Sequence, residues 1–200
     1  MSDVTKAIIP IAGLATRFLP LSKAVPKELL PVGLKPMLLY ALEELKAAGV
    51  SQVIFIVHNN KKQIEEYIKR SPQLEKLLQE RNQGDLLQEV QGLHKTLEGL
   101  SFAFVSDKPL GDGHAVLQAK KLVGQEPCFV LYPDDIIEAK VPGSVQLAKV
   151  FKTSQKPVTA LFKRPKEEVS SYGVVGGEKI ASRLWKVKKI IEKPQGEPPS

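Results

Sequence analysis

Short apolar runs alternate with helix-patterned segments along most of this chain, and that alternation restricts its fold more than any other feature. The runs 6–10, 52–57, 102–105, 127–132 and 157–162 have the length and content of buried strands. Between the first two, Leu38, Ala41, Leu42, Leu45 and Ala48 recur at helical spacing. Glu43, Glu44 and Lys46 lie on the opposite face, and Gly49 supplies a stop. Residues 61–69, one or two helices within 74–97, then 114–122 and 145–151 continue the alternation. Strands separated by helices predict an α/β fold: a Rossmann-like, mainly parallel sheet flanked by helices and joined by right-handed crossovers. After residue 162 the pattern changes. Segments 172–176 and 184–191 read as extended, with Trp185 and Val187 alternating against Lys186 and Lys188, a small β-rich region. With 42% hydrophobic content, 200 residues suit a single domain, its α/β core over about 1–162 and the β-rich part over 163–200.

In parallel sheets ligands gather at the carboxyl ends of the strands. Three segments reach that edge: the Ala12-Gly13 turn after the first run, the Gly111–Gly113 loop, and Pro133-Asp134. The first leads into a stretch that carries Arg17, Lys23 and Lys27 against one acid, Glu28, before Val32. Pro20, Pro26, Pro31 and Pro36 exclude a regular helix across it. A strand, a glycine turn and an extended cationic loop can form a phosphate cradle, in which backbone N–H groups approach oxygens that the cations neutralise. There is no G-x-G-x-x-G, and Gly13 is not followed by Gly-Lys-Ser/Thr, so a dinucleotide fingerprint and a P-loop are both disfavoured. Taken as residues alone, the basic loop reads as a solvated face, Asp134 as a turn former, and Glu192-Lys193 as a charged strand end.

Charge and cysteine content narrow the classes further. A net charge of +7 concentrates at 179–193, Lys61-Lys62 and Lys163-Arg164, which favours acidic partners such as nucleotides and sugar phosphates. Zinc-finger spacing and RNP-like aromatic motifs are absent, and aromatic residues make up 6%, so no specific nucleic-acid binding is expected. No apolar run is long enough for a membrane helix, and residues 1–6 lack a signal peptide's apolar stretch. The one cysteine, Cys128, sits in an apolar run. It can form no internal disulfide, which fits a reducing cytoplasm.

The segment Gly13-x-Ala15-Thr16-Arg17-x-x-Pro20, followed by Pro26-Lys27-Glu28-x-x-Pro31, resembles the signature of the sugar-nucleotide pyrophosphorylases. Phe18-Leu19-Pro20, Ser22-Lys23-Ala24 and Pro26-Lys27-Glu28 are most similar to the bacterial UTP–glucose-1-phosphate uridylyltransferases. Gly111-Asp112-Gly113-His114-Ala115-Val116, Tyr132-Pro133-Asp134, Tyr172-Gly173-Val174-Val175 and Glu192-Lys193-Pro194 follow in the family's order. Residues 74–90 resemble the subfamily's helical insertion.

The resemblance implies the nucleotide-diphospho-sugar transferase fold, with UTP and glucose 1-phosphate as substrates and Mg²⁺ as cofactor. Ala12 and Gly13 would hold base and sugar through their backbone. Thr16 and Arg17 would grip the outer phosphates, and Lys27 would lie along the triphosphate with Glu28 beside it. Arg17 and Lys27 would be catalytic. Gly113 would approach the base, and Asp134 would bind the metal. Gly173, Glu192 and Lys193 would serve the sugar phosphate, with the β-rich region on the sugar side. Family members also use C-terminal surfaces in homo-oligomers. This chain ends soon after a motif that sits mid-fold in them, so it reads as C-terminally shortened.

Two residues depart from the pattern. Ala15 stands at the signature's second glycine. Around 105–109 there is no glutamine of the kind that reads the pyrimidine, and Asp107 can only accept when ionised, whereas an amide donates and accepts. A different nucleotide such as dTTP, or sugar-nucleotide binding without turnover, are the alternatives these departures leave.

Overall fold

A computed structural model describes residues 3–13, 15–58, 61–108, 110–196 and 199, with the side chains of Lys61 and Lys166 left aside. Leu14 of the signature and Pro109 of the 105–109 segment lie outside the described residues. The chain divides into two compact units, Met1–Val158 and Thr159–Ser200.

The first unit is built on a four-stranded, fully parallel sheet in the order β5-β4-β1-β6. Its strands are β1 (Lys6–Ile11), β4 (Gln52–Val57), β5 (Ser101–Ser106) and β6 (Cys128–Val130). Two-residue strands β2 (Pro31–Val32) and β3 (Lys35–Pro36) form a small hairpin apart from it. The helices are α1 (Met37–Ala47), α2 (Lys61–Ile68), α3 (Pro72–Glu80), α4 (Gly84–Leu97), α5 (Asp112–Gln118), α6 (Lys120–Val123) and α7 (Gly143–Ser154).

The apolar runs are continuous because both faces of the sheet are covered. Side chains alternate along each strand. Ala7, Ile9 and Ile11 with Val53, Phe55 and Val57 pack against Leu38, Leu42 and Leu45 of α1, Ile64 of α2 and Leu97 of α4. Ile8, Ile54 and Ile56 face Ala115, Ala119 and Val123 of α5, α6 and their junction. The Phe55 ring stacks on Phe104 at 5.2 Å and on Phe102 at 5.9 Å. α1 stops where Gly49 takes φ +88°, a backbone state that favours glycine. α7 begins where the Ser144 N–H donates to Glu44 Oε1 of α1 at 2.6 Å, a carboxylate at a helix N-terminus.

The second unit is an antiparallel hairpin of β7 (Gly173–Ala181) and β8 (Leu184–Glu192), preceded by a 3-10 segment, Lys166–Ser171. Its register shifts between Gly176 and Gly177. A Cβ on Gly177 would run into the Lys186 carbonyl, so the bulge requires glycine.

Two expectations are corrected. The run 157–162 joins no ladder among the described residues, and Leu161 and Phe162 are exposed. An apolar run becomes a strand only where a neighbour pairs its backbone. The helix expected over 114–122 is two short helices, α5 and α6, that meet at Ala119.

Candidate functional site

The parallel order puts the carboxyl ends of β1, β4, β5 and β6 on one edge. β1 runs into Ala12 and Gly13. Ala15 then takes a left-handed conformation, φ 48° and ψ 45°, which turns the chain into the first of three 3-10 turns, Thr16–Phe18, Leu21–Lys23 and Lys27–Leu29. Prolines between the turns keep the segment from becoming a continuous helix. It folds back over the end of β1 and encloses a cleft of about 370 Å³. Ile11, Ala12 and Gly13 line its sheet side. Ala15, Thr16, Leu19, Ser22, Lys23, Ala24, Pro26, Lys27 and Glu28 line the loop side. His58, just past β4, and Gln63 of α2 complete it.

Lys27 Nζ donates to Asp134 Oδ2 at 2.6 Å, joining residues 107 positions apart. The two side chains are 22% and 51% exposed, so the pair is open to a ligand rather than sealed in the core. Asp134 follows β6 in a tight turn, closed by the Asp135 N–H donating to the Tyr132 carbonyl at 3.0 Å. Burial pushes the Asp135 carboxyl upward, aided by Asp134 and opposed by Lys27. The Tyr132 phenol is also raised, first by burial and then by Asp112, Asp135 and Asp134. The charge of Asp112, at the start of α5, is therefore felt at the end of β6.

Glu28 is the buried charge of this loop, 2% exposed. Desolvation pushes its carboxyl up to about 7, with Asp134 adding to the rise. The neighbouring backbone and Lys27 oppose it. Among the described residues, Glu28 Oε1 and Ser22 Oγ are buried without hydrogen-bond partners, and both residues line the cleft. Buried polar atoms without partners beside a cavity call for a polar neighbour.

Of the residues singled out from sequence, Ala12, Gly13, Thr16, Lys27, Glu28 and Asp134 come together here. Arg17 is exposed on the Thr16–Phe18 turn and is not among the residues lining the cleft. Gly113 lies in the first turn of α5, with open space where a Cβ would stand. In the second unit, Gly173 pairs with Glu192 across β7 and β8. A Cβ on Gly173 would meet Glu192 Oε2 at 3.0 Å, and Lys193 Nζ lies 3.4 Å from Glu192 Oε1. These three thus form one local group.

Sequence reasoning missed Ser22, His58 and Gln63 as cleft residues. His58 had one available signal, its position directly after a strand whose neighbours end at the same edge. Among the described residues no three His, Cys, Asp or Glu side chains are arranged to hold a metal alone. One accessible carboxylate, Asp134, matches instead a hard cation that arrives with phosphate oxygens, as Mg²⁺ does.

The nucleotidyl transferase family model matches residues 6–200. Over 202 residues the chain is 39% identical to the UTP–glucose-1-phosphate uridylyltransferase of Bacillus subtilis (strain 168), covering 100% of this chain and 68% of that protein. The protein of the same name from Staphylococcus haemolyticus (strain JCSC1435) is 37% identical over 201 residues, covering 100% of this chain and 69% of that protein. Among solved structures, UDP-glucose pyrophosphorylase complexed with UDP-glucose matches with a TM-score of 0.85 at 33% identity, covering 98% of this chain and 72% of that one. UTP-bound UGPase from Acinetobacter baumannii matches with a TM-score of 0.84 at 33% identity, covering 98% of this chain and 70% of that one.

Proposed function

The chain belongs to the nucleotidyl transferase family, and from that premise we infer that it transfers the uridylyl group of UTP to glucose 1-phosphate. The products are UDP-glucose and pyrophosphate. Its likeness, over the whole of this chain, to 68–72% of the length of uridylyltransferases carries this reading. The Lys27–Asp134 pair at the cleft supplies the chemistry it needs.

A phosphate oxygen of the sugar attacks the α-phosphorus in line. A new P–O bond forms as the bond to the β-phosphate oxygen breaks, and pyrophosphate leaves with that electron pair. No enzyme nucleophile takes part. The obstacle is the approach of two polyanions and the charge that grows on the leaving group, so fixed cations and positioning supply catalysis.

Lys27 is the residue placed for that task. Its ammonium exchanges the Asp134 carboxylate for phosphate oxygens and acts as a point charge. Asp134, released from Lys27, is the carboxylate that would hold Mg²⁺. When bound there, Mg²⁺ supplies neutralisation of the triphosphate and of the leaving pyrophosphate. Ala12 and Gly13 present backbone to the nucleoside, while Thr16 and Arg17 serve the outer phosphates. Glu28 sits beside them; in its neutral form it can donate a hydrogen bond to a phosphate oxygen where a carboxylate would repel it. In the second unit Gly173, Glu192 and Lys193 form the sugar-phosphate group, Glu192 accepting from hydroxyls and Lys193 facing the phosphate.

Pyrophosphate release with Mg²⁺ and glucose 1-phosphate, compared across UTP, dTTP, CTP and GTP, tests the reading. The expected outcome is release that requires the sugar phosphate and is fastest with UTP. A faster reaction with dTTP would move the assignment to thymidylyl transfer. Ligand binding without release would make the protein a non-catalytic binder.

A further inference from the structure

Asp107 and His114 lie beyond the cleft lining and have no part in the chemistry above, yet they are tied into one chain of contacts. Asp107 directly follows β5. Its N–H donates to the Val57 carbonyl at 2.8 Å, and its own carbonyl accepts from His58 Nδ1 at 3.1 Å. Its side chain is 4% exposed, with Oδ2 3.0 Å from His114 Nδ1. On the far side of the ring, His114 Nε2 lies 3.2 Å from Gln118 Nε2. A carboxylate oxygen accepts, so the His114 Nδ1 that faces it donates. The Gln118 amide carries both a donor and an acceptor, so it can meet Nε2 in either role and holds the ring along α5.

This chain of contacts runs from the cleft to α5. His58 lines the cleft, Asp107 directly follows β5, and His114 directly follows Gly113. Gly111 enters the turn at φ +109°, a conformation that favours glycine, and the His114 ring is held three residues further on.

We propose that Asp107 and His114 form a clamp that positions the Gly111–Gly113 turn, so that base selection passes through that turn and not through the Asp107 carboxylate. The proposal rests on the reading that Gly113 approaches the base. It explains how the chain can lack a glutamine near 105–109 and still use UTP. A carboxylate reading the base directly would accept from an exocyclic amine and so favour cytosine, whose N4 is a donor, over uracil. The Asp107 carboxylate is instead buried and spent on His114. Asp107 is a positioning residue.

The test compares the wild-type protein with Asp107→Asn and Asp107→Ala, each verified as folded by thermal unfolding. Nitrogen-resolved NMR of His114 in the ligand-free protein reports which ring nitrogen is protonated. Calorimetry with UTP and CTP, together with steady-state kinetics, reports the effect on the base. The wild type should show His114 protonated on Nδ1. Asp107→Asn retains an oxygen acceptor for that proton and should keep the wild-type preference for UTP over CTP. Asp107→Ala should lose the Nδ1 signature and raise KM for UTP about tenfold, with kcat and KM for glucose 1-phosphate little changed, as expected for one lost buried hydrogen bond.

A swing toward or away from CTP in Asp107→Asn would show that the carboxylate reads the base, and would overturn the clamp. So would wild-type His114 protonated on Nε2 alone, or an Asp107→Ala protein with unchanged UTP affinity. Failure of the wild-type protein to bind UTP would instead overturn the functional reading, and the clamp's role in base selection with it.

Discussion

Ala15 carries the smallest side chain at a left-handed backbone position, φ 48° and ψ 45°, where the family signature has glycine. A Cβ there costs about 1–2 kcal/mol. Glycine would remove that cost but adds freedom to the unfolded chain, worth roughly 0.5–1 kcal/mol in the other direction. Ala15→Gly should therefore raise stability slightly, by less than about 1.5 kcal/mol, as read from the denaturation midpoint. A lower midpoint would contradict the strain. The loop's other costly residue is Glu28, raised from 4.5 to about 7 chiefly by burial. Between those values the folded protein holds a proton that the unfolded chain has lost, so stability falls as pH rises through that window. The fall is on the order of 3 kcal/mol, complete above the folded value and absent below the unfolded one. Glu28→Gln does not titrate. Urea denaturation at pH 5 and pH 8 should show the variant gaining on wild type toward pH 8, and a pH-independent difference would contradict the burial argument. Sequence alone picked out Ala15 as a departure and Glu28 as the loop's one acid. It could not reveal that Glu28 is buried, because a residue beside a lysine in a basic loop looks solvated until the loop folds back on β1.

Among the elements, β4 is the best defined by sequence and the most buried. Val53 to Val57 are all fully enclosed, since β4 is flanked by β5 and β1 and covered on both faces. A continuous apolar run specifies such a strand without reference to its neighbours, and its bounds are those expected. Phe55→Ala should cost about 3–5 kcal/mol because the ring stacks on both Phe102 and Phe104. Equilibrium denaturation would measure it, and a cost below about 1 kcal/mol would contradict this packing. Elements whose existence depends on a partner were less legible. β6 spans three residues of the six in its run, and 157–162 joins no ladder. Hydrophobic pattern reports burial, whereas pairing depends on what lies alongside. The loop 12–36 shows the opposite: proline spacing foretold the loss of regular helix, but the three 3-10 turns that replace it, the first starting at left-handed Ala15 and the others at Pro20 and Pro26, are not encoded by periodicity.

At the scale of the molecule, parallel pairing matters most, because it brings to one edge residues far apart in sequence. The turn after β1, the residue after β4, the end of β5 and the turn after β6 meet there, and Lys27 touches Asp134 as a result. Sequence order alone suggested the turns after β1 and β6, each just past an apolar run, but not the residue after β4. The second unit is separately organised, and its Gly173–Glu192 pairing needed the hairpin register to become visible. Among the described residues no helix is long and apolar enough to cross a membrane. The excess positive charge favours acidic partners. The central claim is that this edge carries uridylyl transfer, with Lys27 stabilising the transition state. The most direct measurement is the rate of pyrophosphate release from UTP and glucose 1-phosphate by the wild-type chain and by Lys27→Ala. Release should depend on the sugar phosphate and fall about a hundredfold or more in kcat in the variant. Near-normal kcat in Lys27→Ala would contradict the claim.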